Sequence, residues 1–237
     1  MKKALIIGAS SGIGKALSVQ LAKEGYLVGI TGRRKDLLDE IAATTPDHFI
    51  VSAFDITDEG VVGYLDEIMS RLKGIDLMII SSGWGKENPE LLPEVERQTI
   101  AVNVQGFTAC MLWGFTYMKK HGGGHLAGIS SIAGLRGSRY APSYGATKAY
   151  QINFMEGLWF KAKNEKLPIT VTDIRPGFVD TAMAQGNGVF WAASAEKAAS
   201  QIIKALKQKK KYAYITKRWS LIAWLLNCLP SWIAAKF

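Results

Sequence analysis

Gly8-Ala9-Ser10-Ser11-Gly12-Ile13-Gly14 governs how the chain is read, because of what stands on either side of it. Before it, residues 3–8 form a short apolar run rich in leucine and isoleucine, the composition of a buried strand. After it, Ile13, Leu17 and Leu21 recur at helical spacing over residues 12–24, and Gly25 ends the pattern. A strand that turns directly into a helix leaves the first helical N–H groups and the positive end of the helix dipole beside the turn. Glycines let the backbone bend tightly there and admit an anion such as a pyrophosphate. The spacing is G-x-x-x-G-x-G, not the commoner G-x-G-x-x-G dinucleotide fingerprint. A glycine-rich turn also occurs as plain structure, so the weight lies on its place between a first strand and a first helix.

The alternation continues outward from this turn. Strands are expected at 26–31, 49–54 and 76–80, with helices at 35–43 (stopped before Pro46) and near 58–72. Beyond them come a long helix near 94–120, a strand at 125–130, a second long helix at 143–163 and a strand at 169–174. A helix at 195–207 and a short strand at 212–215 complete the set. Seven strands with interleaved helices predict an α/β fold: a Rossmann-type, doubly wound, mainly parallel seven-stranded sheet with helices on both faces. Nothing resembling a linker, repeat or low-complexity tract divides it, so one domain is expected over 1–217, followed by a basic and apolar tail at 218–237.

Bulk composition narrows the class. With 48% hydrophobic and 21% charged residues, extensive disorder is excluded. Cys110 and Cys228 show neither a pairing pattern nor metal-ligand spacing, which fits a reducing compartment. The apolar run after Met1-Lys2-Lys3 is too short for a signal core, so no signal peptide is expected. The net charge of +9 is local: the last acidic residue is Glu196. Lys197, Lys204, Lys207, Lys209, Lys210, Lys211, Lys217, Arg218 and Lys236 follow it and account for the whole excess.

Cofactor choice is expected at the end of the second strand, where a carboxylate would bind the ribose hydroxyls of NAD. Here the run is Thr31-Gly32-Arg33-Arg34, with no acid before Asp36. Arginine suits a 2′-phosphate through forked, charge-assisted hydrogen bonds, and cations beside a helix N-terminus need a reason. NADP(H) is therefore preferred over NAD(H), with Arg33 ahead of Arg34. Tyr144 and Lys148 lie four apart in the expected helix, hence on one face, and a nearby cation lets a phenol titrate nearer neutrality. Ser131 stands thirteen residues before Tyr144, just past a strand end, where doubly wound sheets open on their ligand crevice.

Together Gly8-x-x-x-Gly12-Ile13-Gly14, Ser131, Tyr144-x-x-x-Lys148 and Arg175-Pro176-Gly177 closely resemble the short-chain dehydrogenase/reductase family, in order and spacing, over about residues 3–181. The resemblance implies hydride transfer between a nicotinamide cofactor and a carbonyl or alcohol. It implies that Tyr144 is the general acid/base, that Lys148 lowers the tyrosine pKa and holds the nicotinamide ribose, and that Ser131 binds the substrate oxygen. Ser130 competes with Ser131, and the spacing to the tyrosine favours Ser131. By the same resemblance Asn103 supports a proton relay through water, Asp55 contacts the adenine and Thr181 the carboxamide. Ser10, Ser11, Ser82, Gly83, Pro176, Gly177 and Val179 line the cofactor site. Ser81-Ser82-Gly83 departs from the family's usual Asn-Asn-Ala-Gly, and Ile7 stands where threonine is common.

The segment after Pro-Gly sets substrate choice in such proteins. Met183, Val189, Phe190 and Trp191 read either as an apolar lid over a hydrophobic substrate or as core packing, and Gly186 and Gly188 would let a lid move. In the tail, lysines precede an apolar, tryptophan-bearing run interrupted by Pro230, too short to span a bilayer. Pocket cover, self-association and contact with an anionic membrane surface all remain open for it, whereas nucleic-acid binding lacks a recognition module. A small, apolar carbonyl or alcohol is the expected partner, with a homodimer or homotetramer through the long helices and a cytoplasmic location, peripheral on a membrane if the tail binds one. A second reading is an NADP(H)-binding regulatory or scaffold protein; the intact set of Asn103, Ser131, Tyr144 and Lys148 favours the enzyme.

Overall fold

Strand β1 (Lys3–Ile7) shows how the layers form: Ala4 and Ile6 pack to one side of the sheet, Leu5 and Ile7 to the other, all four with at most 1% exposure. A strand covered on both faces has no polar side to turn to water, and an unbroken apolar run results. The computed structural model describes residues 1–181, 191–230 and 232. The other strands are β2 (Leu27–Gly32), β3 (Phe49–Ala53), β4 (Leu77–Ile80), β5 (Gly124–Ile129), β6 (Ile169–Pro176) and β7 (Tyr212–Ile215). They form one sheet in the order β3-β2-β1-β4-β5-β6-β7, and every pairing is parallel, so the expectation of a mainly parallel sheet sharpens to an entirely parallel one.

Helices α1 (Gly12–Lys23), α2 (Lys35–Ala43) and α7 (Ala195–Lys207) cover one face through Leu17, Leu21, Leu38, Ile41, Ile202 and Leu206. Helices α3 (Val61–Leu72), α5 (Phe107–Lys120) and α6 (Pro142–Asn164) cover the other through Leu65, Ile68, Phe107, Met111, Met155 and Leu158. The single helix expected near 94–120 is interrupted. Helix α4 (Pro93–Ile100) runs into a π-helical turn, Ala101–Gly106, before α5 begins. Close packing marks the break: a Cβ on Gly106 would lie 2.5 Å from the Ile56 carbonyl oxygen. Such turns cluster at functional sites, and this one carries Asn103.

Helix α8 (Trp219–Cys228), the last named element among the described residues, lies in the stretch read from sequence as a basic and apolar tail. Chain order places a topological switch between β1 and β4: after β1 the chain builds outward through β2 and β3, then returns by α3 to β4 on β1's other side. Ligands bind in the crevice beyond the carboxyl ends of strands at such a switch. The glycine turn, Ser82 and Ser131 all stand there.

Candidate active site

The glycine turn is a backbone construction. Gly8 (φ +88°) and Gly12 (φ +54°) occupy the left-handed region, and a Cβ on Gly14 would fall 2.0 Å from the Gly8 carbonyl oxygen. The N–H groups of Gly8 and Ala9 both donate to the Thr31 carbonyl, at 3.0 and 2.8 Å, tying the turn to the end of β2. Ser11 precedes α1 without capping it by side chain. Instead Arg34 Nη2 donates to Ser10 Oγ (2.9 Å) and Ser11 Oγ (2.8 Å), so a guanidinium rests on the serines of the turn. With its helix start uncapped, its glycine backbone open and a cation alongside, the turn can hold a pyrophosphate. Arg33 points elsewhere: its Nη1 lies 3.5 Å from Asp55 Oδ2 in an exposed pair. Burial raises the Asp55 pKa, but hydrogen bonds from the Thr57 N–H and hydroxyl and the charge of Arg33 outweigh it and leave the carboxyl below its usual range.

The floor beneath Tyr144 is a side-chain construction. Asn103, fully buried in the π-helical turn, forms two hydrogen bonds with the backbone of Trp84: its Oδ1 accepts from the Trp84 N–H at 2.9 Å and its Nδ2 donates to the Trp84 carbonyl at 2.7 Å. Nδ2 also donates to Thr147 Oγ1 at 3.1 Å, and that hydroxyl donates to the Tyr144 carbonyl at 2.9 Å. The loop so pinned supports the tyrosine directly. A Cβ on Gly85 would lie 2.3 Å from Tyr144 Cδ2, so the ring is seated against the Gly85 backbone. A Cβ on Gly83 would lie 3.5 Å from Lys148 Nζ and 3.7 Å from Asn103 Oδ1, which places Gly83 between the lysine and the asparagine.

Lys148 is 4% exposed, and its ammonium donates to the Ile129 carbonyl (3.0 Å) and to Gln151 Oε1 (2.9 Å). The Gln151 carboxamide passes the chain on, donating from Nε2 to the Asn103 carbonyl at 2.9 Å. The family resemblance implied a relay through water at Asn103, whereas here Gln151 joins that carbonyl to the lysine. Burial brings the Lys148 pKa down to about 8, with the Asp173 carboxylate opposing the shift. Nζ lies 5.7 Å from the Tyr144 ring centroid. Burial pushes the Tyr144 phenol above its ordinary range, and a hydrogen bond with Ser131 draws it part of the way back.

The two serines after β5 have separate uses. Ser130 Oγ donates to the buried Asp173 carboxylate, which Arg175 Nε also binds at 2.5 Å. Ser131 Oγ accepts from the Ala133 N–H at 3.1 Å and faces the Tyr144 hydroxyl. Beyond β6, a Cβ on Gly12 would lie 3.0 Å from Thr181 Cγ2, so Thr181 stands against the glycine turn. Pro176 is buried, and Val179 sends its side chain into the core while its backbone bridges in parallel to Ala193. Ser82 donates its N–H to the Ile7 carbonyl at 2.9 Å, and a Cβ on Gly8 would meet Ser82 Oγ at 2.5 Å. Met183, Val189 and Phe190 lie outside the described residues. Trp191 is described: it is half-exposed, its carbonyl accepts from Arg218, and its ring meets Trp219 edge-on at 6.3 Å.

The tail joins the site rather than trailing from it. Trp219 is 1% exposed and fills the space a side chain at Gly177 would need; a Cβ there would fall 2.1 Å from its Cε2. Arg136, just past the turn that follows Ser131, donates from Nε to the Leu226 carbonyl at 2.6 Å and from Nη2 to that of Leu229, satisfying carbonyls at the end of α8. Gln151, Thr147, Gly85, Asp173 and Arg136 were not singled out from sequence. Gln151 alone carried a signal, standing three residues after Lys148 and thus on the same helical face.

A family model described as short chain dehydrogenase matches residues 2–189. An uncharacterised oxidoreductase of Staphylococcus epidermidis is 30% identical over 213 residues, covering 87% of this chain and 91% of its own. Another from Myxococcus xanthus is 35% identical over 196 residues, covering 78% and 75%. Among solved structures, a short-chain dehydrogenase/reductase from Burkholderia phymatum in complex with NAD superposes with a TM-score of 0.83 at 18% identity, covering 94% of this chain and 91% of that one. ElxO with NADP bound superposes with a TM-score of 0.75 at 24% identity, covering 86% and 90%. At those identities the structural likeness speaks for the fold.

Proposed function

The chain belongs to the short-chain dehydrogenase family, and from that premise we propose that it is an NADP(H)-dependent reductase of apolar ketones or aldehydes, with Tyr144 as general acid. The observation that carries this reading is the Tyr144 ring, seated against Gly85 with the buried Lys148 ammonium 5.7 Å from its centroid, together with Ser131 at the carboxyl end of the neighbouring strand. With both hydroxyls at this edge, a carbonyl oxygen seated between them accepts from Ser131 and from Tyr144 together. Bound NADPH would supply the hydride to the carbonyl carbon. Tyr144 gives its hydroxyl proton to the carbonyl oxygen and is left as a phenolate, whose charge the Lys148 ammonium offsets. Asn103 and Gly85 fix the ring, and Gln151 and Ile129 fix the ammonium.

The glycine turn would hold the pyrophosphate, with Thr181 and the main chain of Val179 towards the nicotinamide. Arg34 supports the preference for a 2′-phosphate, because its guanidinium already lies on Ser10 and Ser11. Arg33 is engaged by Asp55, which shifts the weight of the specificity reading from Arg33 to Arg34. The apolar substrate class rests on Met183, Val189, Phe190 and Trp191 in the segment after Pro176-Gly177. NADPH oxidation with a panel of apolar carbonyls tests the proposal, in wild type and Tyr144→Phe. Turnover that falls about 10²–10⁴-fold in the variant, with NADPH binding unchanged, is the expected outcome. Wild-type turnover in Tyr144→Phe, or no NADPH binding by either form, overturns it.

A further inference from the structure

The excess positive charge of the chain lies after Glu196, much of it on α7, β7 and the start of α8. A surface groove of about 510 Å³ runs between α7, β7 and the start of α8, and Lys204, Lys210, Lys217, Tyr212 and Ser220 are among its lining residues. Its lining contains no acidic residue. Neighbouring Lys207 and Lys211 are paired with Glu24 and Glu156, whereas among the described residues Lys204, Lys210 and Lys217 form no ion pair.

The groove adjoins an apolar face. Helix α8 turns Trp219 and Ala223 inward, each 1% exposed, and turns Leu221, Trp224 and Leu225 outward at 67%, 63% and 45%. The exposed Cys228 continues the stripe, so residues 221, 224, 225 and 228 follow the i, i+3, i+4, i+7 spacing of one helical face. Ser220, on the groove wall, precedes Trp224 by one turn, so groove and stripe are continuous. The helix is anchored by Trp219 and Arg136, which holds the stripe outward, and it is ten residues long. Among the described residues no helix is long and apolar enough to cross a membrane.

Charge decides between occupants. A second copy docked through this face about a two-fold axis would bring lysine groove against lysine groove, a like-charge contact that disfavours association. An anionic lipid surface answers both features: phosphates for the lysines and an interfacial layer for tryptophan and leucine. We propose that the outer face of α8 and the adjoining lysine groove seat the protein on an anionic membrane surface. Leu221, Trp224 and Leu225 enter the headgroup boundary, and Lys204, Lys210 and Lys217 meet lipid phosphates. The proposal is independent of any reading of cofactor or substrate.

Co-sedimentation of the full chain with vesicles of pure phosphatidylcholine, and of equal parts phosphatidylcholine and phosphatidylglycerol, tests it. Binding to the anionic vesicles is expected to be stronger by about tenfold or more, and to weaken with salt. Lys204→Gln/Lys210→Gln/Lys217→Gln should lose about a hundredfold, on the order of fivefold per lysine. Trp224→Glu/Leu225→Glu should lose about tenfold or more. Circular dichroism of each variant checks that the domain remains folded. Equal affinity for both vesicles, no binding, or binding indifferent to both sets of substitutions overturns the proposal. So does a dimer that ignores vesicles and becomes a monomer in Trp224→Glu/Leu225→Glu, which assigns the face to a second copy.

Discussion

At the glycine turn, function is prepared by leaving side chains out; on the floor beneath Tyr144, it is prepared by burying them. The turn spans seven consecutive residues, and its critical distances are between backbone atoms, such as the 2.0 Å that a Cβ on Gly14 would leave to the Gly8 carbonyl. The floor is assembled from far along the chain: Asn103 reaches Trp84 across 19 positions, Thr147 across 44, and its carbonyl accepts from Gln151 across 48. Every buried polar group there is held by another, and such networks are rigid when complete and fail together when broken. A local backbone site and a long-range side-chain site therefore differ in what damages them. The first is sensitive to added atoms, and the second also to removed partners.

Four substitutions probe that contrast. The largest effect is expected at Gly85, where the two designs meet, since a backbone there seats the Tyr144 ring. Gly85→Ala should displace Tyr144 and lower kcat for carbonyl reduction by about 10²-fold, the order associated with a misplacement of about 1 Å. Stopped-flow turnover with unchanged NADPH binding would show it, and a wild-type kcat would mean that the ring is not held by this contact. Next is Arg34→Ala on the turn, expected to weaken NADPH by roughly tenfold or more while leaving NADH nearly unchanged, as removal of charge-assisted hydrogen bonds does. Arg33→Ala should do less, because Arg33 is turned towards Asp55 and away from the serines of the turn. Fluorescence titrations that rank the two arginines the other way would return specificity to Arg33.

The smallest effect in rate is the most diagnostic in pH. With the Lys148 pKa brought down to about 8, its ammonium discharges as pH rises through that value, while Tyr144, held above its ordinary range, stays protonated. Carbonyl reduction should therefore decline on the alkaline side of about 8. Gln151→Leu removes one of the two acceptors of the buried ammonium and so disfavours the charged form further. The alkaline limb should move down by about one pH unit, the worth of one hydrogen bond to a charged group. A pH–kcat/KM profile that does not move would show that Gln151 packs beside Lys148 without governing its charge.

The same contrast explains what could be read in advance. The strands at 3–8 and 76–80 announced themselves because parallel strands covered on both faces are apolar throughout, and the glycine turn because its residues are adjacent in sequence. The Tyr144–Lys148 pair was visible through helical spacing. The break at Ala101–Gly106 was not, since its residues show no helix-breaking signal and the tight packing of Gly106 against Ile56 involves a residue far back in the sequence. Gln151 and Gly85 carry no local mark of their task, since each is defined by a partner from another element. The tail was legible in composition and not in geometry. Nothing near Arg136 says that its guanidinium will meet carbonyls some ninety positions later.

The seat of Trp219 against Gly177 also sets an order of events in time. Chains are made from the N-terminus, at about 5–20 residues per second. Strands β1 to β6 can therefore pair while the face of Pro176-Gly177 is still bare, and only the synthesis of α8 supplies the indole that closes it. A chain halted before α8 would carry its tyrosine, lysine and serine on a sheet without that cover.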